Sequence, residues 1–349
     1  MSSPPPRLSE LTRDDARRVA VEAGAKPFHG DELWKWMTKR FVLDPARMTN
    51  LPAPFRKALA ERFDVRPSRA ARVEDDPAST TRKVLLELGD GEKVECVRID
   101  EDDRTTLCLS TQVGCPVRCG FCASGLYGLK RNLSRGEILE QYLVLAGDAA
   151  AAGRRVSNVV VMGMGEPMLN VGPLLGALTI VNDADAVGLG ARHITVSTVG
   201  VRKGLERFIA EPRQYTLAFS LHAPDDALRA KIVPFPAAMS VDEILGAADA
   251  YLRDKGREVT FEYVLLDGVN ASLEHADALA RLLRGVRGTV NLIPFNEVPE
   301  QPFRRPSDRA IDAFAARLRA SGVKTTVRKR KGHDIAAACG QLRLRDLAV

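Results

Sequence analysis

The sequence predicts an α/β protein: a partial barrel of six βα units with a small helical accessory domain at its N-terminus. Three features lead there. Past Thr105, short β-branched runs alternate with amphipathic stretches of helical spacing, as parallel strands with helical crossovers require. Over residues 8–63, apolar positions recur only at helical spacing, broken at Gly24, Pro27, Pro45, Pro52 and Pro54. Between these regions, runs 82–88 and 93–99 flank Gly89-Asp90-Gly91, the pattern of a hairpin.

The barrel strands are expected at 106–110, 157–162, 193–197, 216–221, 259–265 and 290–293. Two crossover helices open with capping boxes, Ser134 with Glu137 and Ser240 with Glu243. A helix over 308–321 and one more strand precede a basic tail that carries a cysteine. The expected units are 1–70 (helical, with possible RNA contact), 71–104 (hairpin linker), 105–310 (partial barrel) and 311–349 (tail). Functional side chains of such a barrel gather at the C-terminal ends of its strands.

With 45% hydrophobic and 28% charged residues, the 349-residue chain is neither disordered nor coiled coil. No run approaches the ~18 apolar residues of a membrane span, and the opening Met1-Ser2-Ser3-Pro4-Pro5-Pro6 has no secretory apolar core, so a cytoplasmic protein is expected. Lys and Arg exceed Asp and Glu by 51 to 45, a modest excess compatible with a polyanionic partner. The basic side chains of the helical region, Arg17, Arg18, Lys35 and Lys39 among them, read individually as a solvated face.

Six cysteines are too few for a disulfide scaffold of this length, and three fall in Cys115-Pro116-Val117-Arg118-Cys119-Gly120-Phe121-Cys122 after the first barrel strand. Three thiolates so spaced can hold one face of a metal cluster and leave a corner open. Structural zinc would need a fourth ligand and fits the uneven spacing poorly; inert buried cysteines are the other reading. Gly163-Met164-Gly165-Glu166-Pro167, Ser197, Ser220-Leu221-His222 and Asn296 follow successive strands. Each alone suits an ordinary turn, but together on one rim they suit a polar cofactor. Phe121, inside the cysteine loop, fits either a flat ring of such a cofactor or a core position.

The triplet resembles the signature of the radical S-adenosylmethionine (SAM) superfamily. That resemblance implies a radical-SAM partial barrel and a 4Fe-4S cluster on Cys115, Cys119 and Cys122, whose open iron binds SAM. Gly165, Glu166, Ser197, Ser220, Leu221, His222 and Asn296 would then receive the cofactor. Cys108 in 108–115, Cys339-Gly340-Gln341-Leu342, Glu262-Tyr263-Val264-Leu265-Leu266-Asp267 and the motifs above further resemble the RlmN family of RNA adenine methyltransferases, from about residue 80 onward. The family scheme implies that Cys339 carries the methyl group as S-methylcysteine, that Glu95 accepts a proton, and that Cys108 resolves the product through a transient disulfide with Cys339. It also implies two SAM per turnover, carbon-2 methylation of adenosine 2503 in 23S ribosomal RNA and adenosine 37 in some transfer RNAs, a flavodoxin-like electron donor and a monomer. Cys96 has no matching role, and Ala336 stands where the family usually has Asp.

The tail run Arg328-Lys329-Arg330-Lys331 reads as a phosphate grip or as a solvated basic turn. A carbon-8 methyltransferase of the antibiotic-resistance type shares the cysteine plan. A radical activase or lyase would leave Cys339 unexplained. A non-enzymatic iron–sulfur RNA-binding module predicts no SAM cleavage.

Overall fold

A computed structural model describes residues 5–65, 68–328, 331–332 and 334–342. The helical unit holds α1 (Arg13–Glu22), α2 (Pro27–Thr38) and α3 (Ala53–Arg62). After it come β1 (Arg69–Asp75), β2 (Thr81–Glu87), β3 (Lys93–Glu101) and β4 (Arg104–Cys108). A small ribbon, β5 (Gln112–Gly114) with β6 (Leu129–Asn132), precedes the alternating part: α4 (Arg135–Ala151), β7 (Asn158–Val161), α5 (Val171–Asn182), β8 (Ile194–Thr198), α6 (Arg202–Ala210) and β9 (Thr216–Ser220). The chain continues through α7 (Asp226–Ile232), α8 (Val241–Lys255), β10 (Val259–Leu265), α9 (Leu273–Leu282), β11 (Gly288–Pro294), α10 (Asp308–Ala320) and β12 (Thr325–Val327).

Ten strands form one sheet in the order β1-β2-β3-β4-β7-β8-β9-β10-β11-β12. From β4 to β12 every neighbour is parallel, the expected consequence of helical crossovers. The six expected barrel strands are all present, within two residues at either end. Ser134 and Ser240 close their capping boxes on Glu137 and Glu243.

The hairpin is larger and less separate than the sequence indicates. β3 pairs antiparallel with β4, with Val97 opposite Cys108, so the hairpin continues the barrel sheet. β1 escapes a sequence reading because it is a charged edge strand with no buried face; such charges keep an edge from pairing with other chains.

The helical unit and the sheet share one hydrophobic core, from Leu33, Met37 and Phe55 to Leu217, Phe261 and Leu292. They are also joined by a buried carboxylate: Glu140 of α4 accepts hydrogen bonds from Arg7 at 2.8 Å and from the Ser68 N–H at 2.7 Å. Removing one partner of a buried pair leaves its polar neighbours unsatisfied, at a cost of about 3–5 kcal/mol. Glu140→Leu is therefore expected to lower the urea midpoint by an amount equivalent to about 3 kcal/mol. An unchanged midpoint would show that the join carries no stability. Among the described residues, no helix is long and apolar enough to cross a membrane.

Candidate active site

The chain leaves β4 under tight control. Gln141 of α4 accepts the Ser110 N–H at 2.8 Å and donates to the Ser110 carbonyl at 2.9 Å, fixing the peptides on both sides of Ser110 on the way to the cysteine loop. The β5–β6 ribbon then clamps both ends of that loop. Gly114 has φ +80°, and a Cβ there would stand 1.9 Å from the Gly128 oxygen, so no other residue fits. Within the loop, Cys122 N–H donates to Cys119 O at 3.0 Å and Gly120 N–H to Ile232 O at 2.9 Å.

Cys115, Cys119 and Cys122 line one cavity of about 130 Å³ together with Gly165, Glu166, Ser197, Ser220, His222 and Asn296. Burial and the neighbouring thiol Cys122 push Cys115 up to about 12, and Cys119 is raised for the same reasons. Three thiols in a dry pocket lose their protons only to a strong cation, and soft thiolates suit iron–sulfur clusters. The donor set therefore fits the cluster that the sequence implies.

The rim residues divide by function. Gly165 has φ +104°, and a Cβ there would meet Gln112 Cβ and Thr111 Oγ1 at 2.7 Å, so the close approach it permits is to the strand leading into the cysteine loop. The Glu166 carboxylate is buried and accepts Thr198 O–H at 2.6 Å, Val199 N–H at 3.0 Å and Met168 N–H at 3.0 Å; burial raises its pKa against those bonds. Ser197 and Ser220 hydroxyls stand 3.4 Å apart across the β8–β9 mouth.

His222, in the left-handed region at φ +61°, accepts Val264 N–H on Nδ1 at 3.1 Å and meets the Phe121 ring edge-on at 4.8 Å. Burial, with Arg229 adding to it, lowers His222 to about 3, so the ring is neutral with its proton on Nε2. Leu221 does not line the cavity: its side chain sits in the main core, and its N–H and C=O are taken by Glu262 O and Arg229.

A second cavity, of about 440 Å³, lies between β3–β4 at one end of the parallel run and β11 at the other, in the gap of the incomplete barrel. Cys108, Arg104, Arg305, Arg328 and Lys331 line it. Cys339 lines both cavities, and its carbonyl accepts Asn296 Nδ2–H at 3.1 Å. Cys108 is pushed up to about 12 by burial first and by Cys339 second. All six cysteines are free thiols, so the disulfide expected between Cys108 and Cys339 is not formed in this structure.

Three placements differ from the sequence reading. Glu95 lies on β3, buried, 3.1 Å from Lys83 Nζ, and lines neither cavity. Arg328 lines both cavities beside Cys108 and Cys339, whose charges favour its protonated form, whereas Lys331 is tied to Glu101; Lys329 and Arg330 lie outside the described residues. Arg229 of α7 was not foreseen at all. Its buried guanidinium donates to the carbonyls of Leu221, Met239, Val199 and Ser220, fixing the β8–β9 mouth, and its charge faces Cys119 and Glu166. In sequence it is one more basic residue on a short helix. Ala336, at φ +51°, occupies a conformation that Asp tolerates better than Ala, which gives its departure from the family pattern a backbone meaning.

A parallel α/β sheet whose strand ends converge on three cysteines defines a radical SAM enzyme, and residues 109–282 match the model of the radical SAM superfamily. Residues 7–65 match the ribosomal RNA large subunit methyltransferase N-terminal domain. A probable dual-specificity RNA methyltransferase RlmN from Rhodopirellula baltica is 44% identical over 97% of this chain and 91% of its own length. One from a Parafrankia strain is 45% identical over 98% and 92%. The crystal structure of a radical SAM methyltransferase from Sphaerobacter thermophilus superposes with a TM-score of 0.93 at 42% identity, covering 97% of this chain and 99% of that one. The chain belongs to the RlmN family of dual-specificity RNA methyltransferases.

Proposed function

We propose that the protein methylates carbon 2 of adenosine, at position 2503 of 23S ribosomal RNA and position 37 of a subset of transfer RNAs, with Cys339 as the methyl carrier. The observation that carries this reading is that Cys339 lines both cavities, with the cysteine triplet in one and Cys108 in the other. Carbon 2 of adenine has no acidic proton, so polar alkylation fails and a radical route is required. Held by Cys115, Cys119 and Cys122, a 4Fe-4S cluster would bind and cleave SAM, supplying a 5′-deoxyadenosyl radical.

The chain's own residues account for the remaining steps. The Cys339 sulfur gives up its proton and takes a methyl group from one SAM, releasing S-adenosylhomocysteine. Loss of one hydrogen atom to the radical leaves a methylene on sulfur that bonds to carbon 2, joining RNA to protein. The adduct radical gives up one electron, for which a bound cluster would be the acceptor, and Glu95 takes the proton from carbon 2. The Cys108 thiolate attacks the Cys339 sulfur, and the carbon–sulfur pair leaves with the base and is protonated to methyl. A sulfur–sulfur bond remains, and a two-electron reductant returns both thiols. In the structure Glu95 is paired with Lys83 and lines neither cavity, so this role requires Glu95 to exchange that partner for the nucleobase.

Arg104 and Arg305 at the mouth of the larger cavity suit the phosphates beside an extruded base, so affinity should fall with added salt. The reading takes two SAM per turnover, a flavodoxin-like electron donor and a cytoplasmic monomer. Mass spectrometry of ribosomal and transfer RNA from cells with and without the gene tests it: 2-methyladenosine should vanish at both sites. Loss of 8-methyladenosine instead would assign the carbon-8 activity, and no change in either would end the methyltransferase reading.

A further inference from the structure

The cysteine loop has an outer face that the chemistry above does not use. Segment 125–129 covers it: Cys115 N–H donates to Gly128 O at 3.0 Å and Gly125 N–H to Cys122 O at 3.2 Å. Tyr127 and Leu129, 52% and 41% exposed, project from this segment, two of the few large apolar side chains left in solvent. Arg118 lies inside the ligand loop at φ +55°, exposed. Its Nη2 lies against Gly128, where a Cβ would meet it at 3.0 Å. The Arg118 side chain makes no hydrogen bond or ion pair among the described residues, while its backbone N–H serves Cys115. Lys231, exposed and equally unpaired among them, precedes Ile232, whose carbonyl takes the Gly120 N–H. None of these four side chains lines either cavity.

We infer that this face, built on Arg118, Tyr127, Leu129 and Lys231, docks a small acidic electron-carrier protein that reduces the cluster. The inference rests on the cluster assignment and deepens it. From the Gly128–Leu129 peptide one hydrogen bond leads to the backbone of ligand residue Cys115, a short route from solvent to the proposed cluster. Unpaired cations around an exposed aromatic give the steering and the small apolar centre of a weak redox encounter, which buries under ~1,200 Å². RNA is the less suitable occupant, because the target base must reach Cys339 through the other cavity, at Arg104 and Arg305. In the step itself the carrier loses one electron and the cluster gains it, passing from 2+ to 1+; no bond is made or broken.

The test follows bleaching of the cluster absorbance in reconstituted protein, with photoreduced flavodoxin or with dithionite as reductant. Arg118→Glu with Tyr127→Ala, and separately Lys231→Glu with Leu129→Ser, should each slow reduction by flavodoxin about tenfold. Dithionite rates and the cluster spectrum should stay unchanged, and wild-type reduction by flavodoxin should slow as salt rises. Wild-type flavodoxin rates in the second variant, whose changes lie outside the ligand loop, overturn the proposal whatever the first variant does. Weakened RNA binding with normal reduction would give the face to RNA and overturn it too. A wild-type protein that forms no cluster would instead overturn the underlying assignment.

Discussion

Cys339→Ala abolishes RNA methylation, by about 10⁴-fold or more, while the protein still binds its cluster and cleaves SAM. The expectation follows from position. Cys339 borders both cavities and lies in a loop fixed by Asn296 on its carbonyl, Ala123 N–H on Gly340 O at 2.7 Å and Gln341 on Glu297 O at 2.9 Å. Removing one sulfur leaves these contacts intact, because all of them run through the backbone or through neighbouring side chains. The loss is thus of the methyl carrier alone. Intact-mass measurement should show a methyl group on the wild-type protein and none on the variant. Appreciable RNA methylation by the variant would mean that the methyl group reaches adenine without touching this residue. Cys108→Ala supplies the converse: methyl loading proceeds, but the adduct between protein and RNA is not released and appears as a slow band on denaturing gels.

Replacing Cys115, Cys119 and Cys122 together by alanine should remove the brown chromophore and all SAM cleavage, with the circular dichroism spectrum unchanged. The three thiols border a cavity of about 130 Å³ and contribute little to the main core, so the sheet does not depend on them. Their own chemistry forbids an uncompensated thiolate there, since burial raises all three. Arg328 in the cavity wall and Arg229 facing Cys119 do not outweigh that burial, and a cluster would supply the further positive charge that three thiolates need. Iron retained in stoichiometric amount by the triple variant would move the ligand set elsewhere.

Much of this was legible in the sequence, for reasons that can be stated residue by residue. The barrel strands announce themselves because buried parallel strands are continuous β-branched runs, and 259–265 matches β10 residue for residue. Three closely spaced cysteines point to a metal-holding loop, and the family signature that their spacing resembles implies which cluster. What stayed hidden depends on contacts between distant segments. Arg328 is indistinguishable from the basic run it begins, yet it ends beside two thiols brought in from 220 and 11 residues away. Leu221 sits between Ser220 and His222, which face the cavity, yet just past the end of β9 its own side chain turns into the core. Glu95 faces the correct side of the sheet but is held by Lys83, an ion pair between strands that no single-strand pattern reveals. β1 has no apolar stripe to read.

The unclosed sheet has one more implication. A barrel completed by further strands would bring its first and last strands into register and leave no slot between them. Here the slot stays unpaired, its walls supplied by β3, β4 and β11, and loop 334–342 lies against it through Ala337, Ala338, Cys339 and Leu342. That loop carries the Cys339 sulfur, so one segment both borders the chamber and presents the thiol proposed as methyl carrier, and a graft that finished the barrel is expected to displace it.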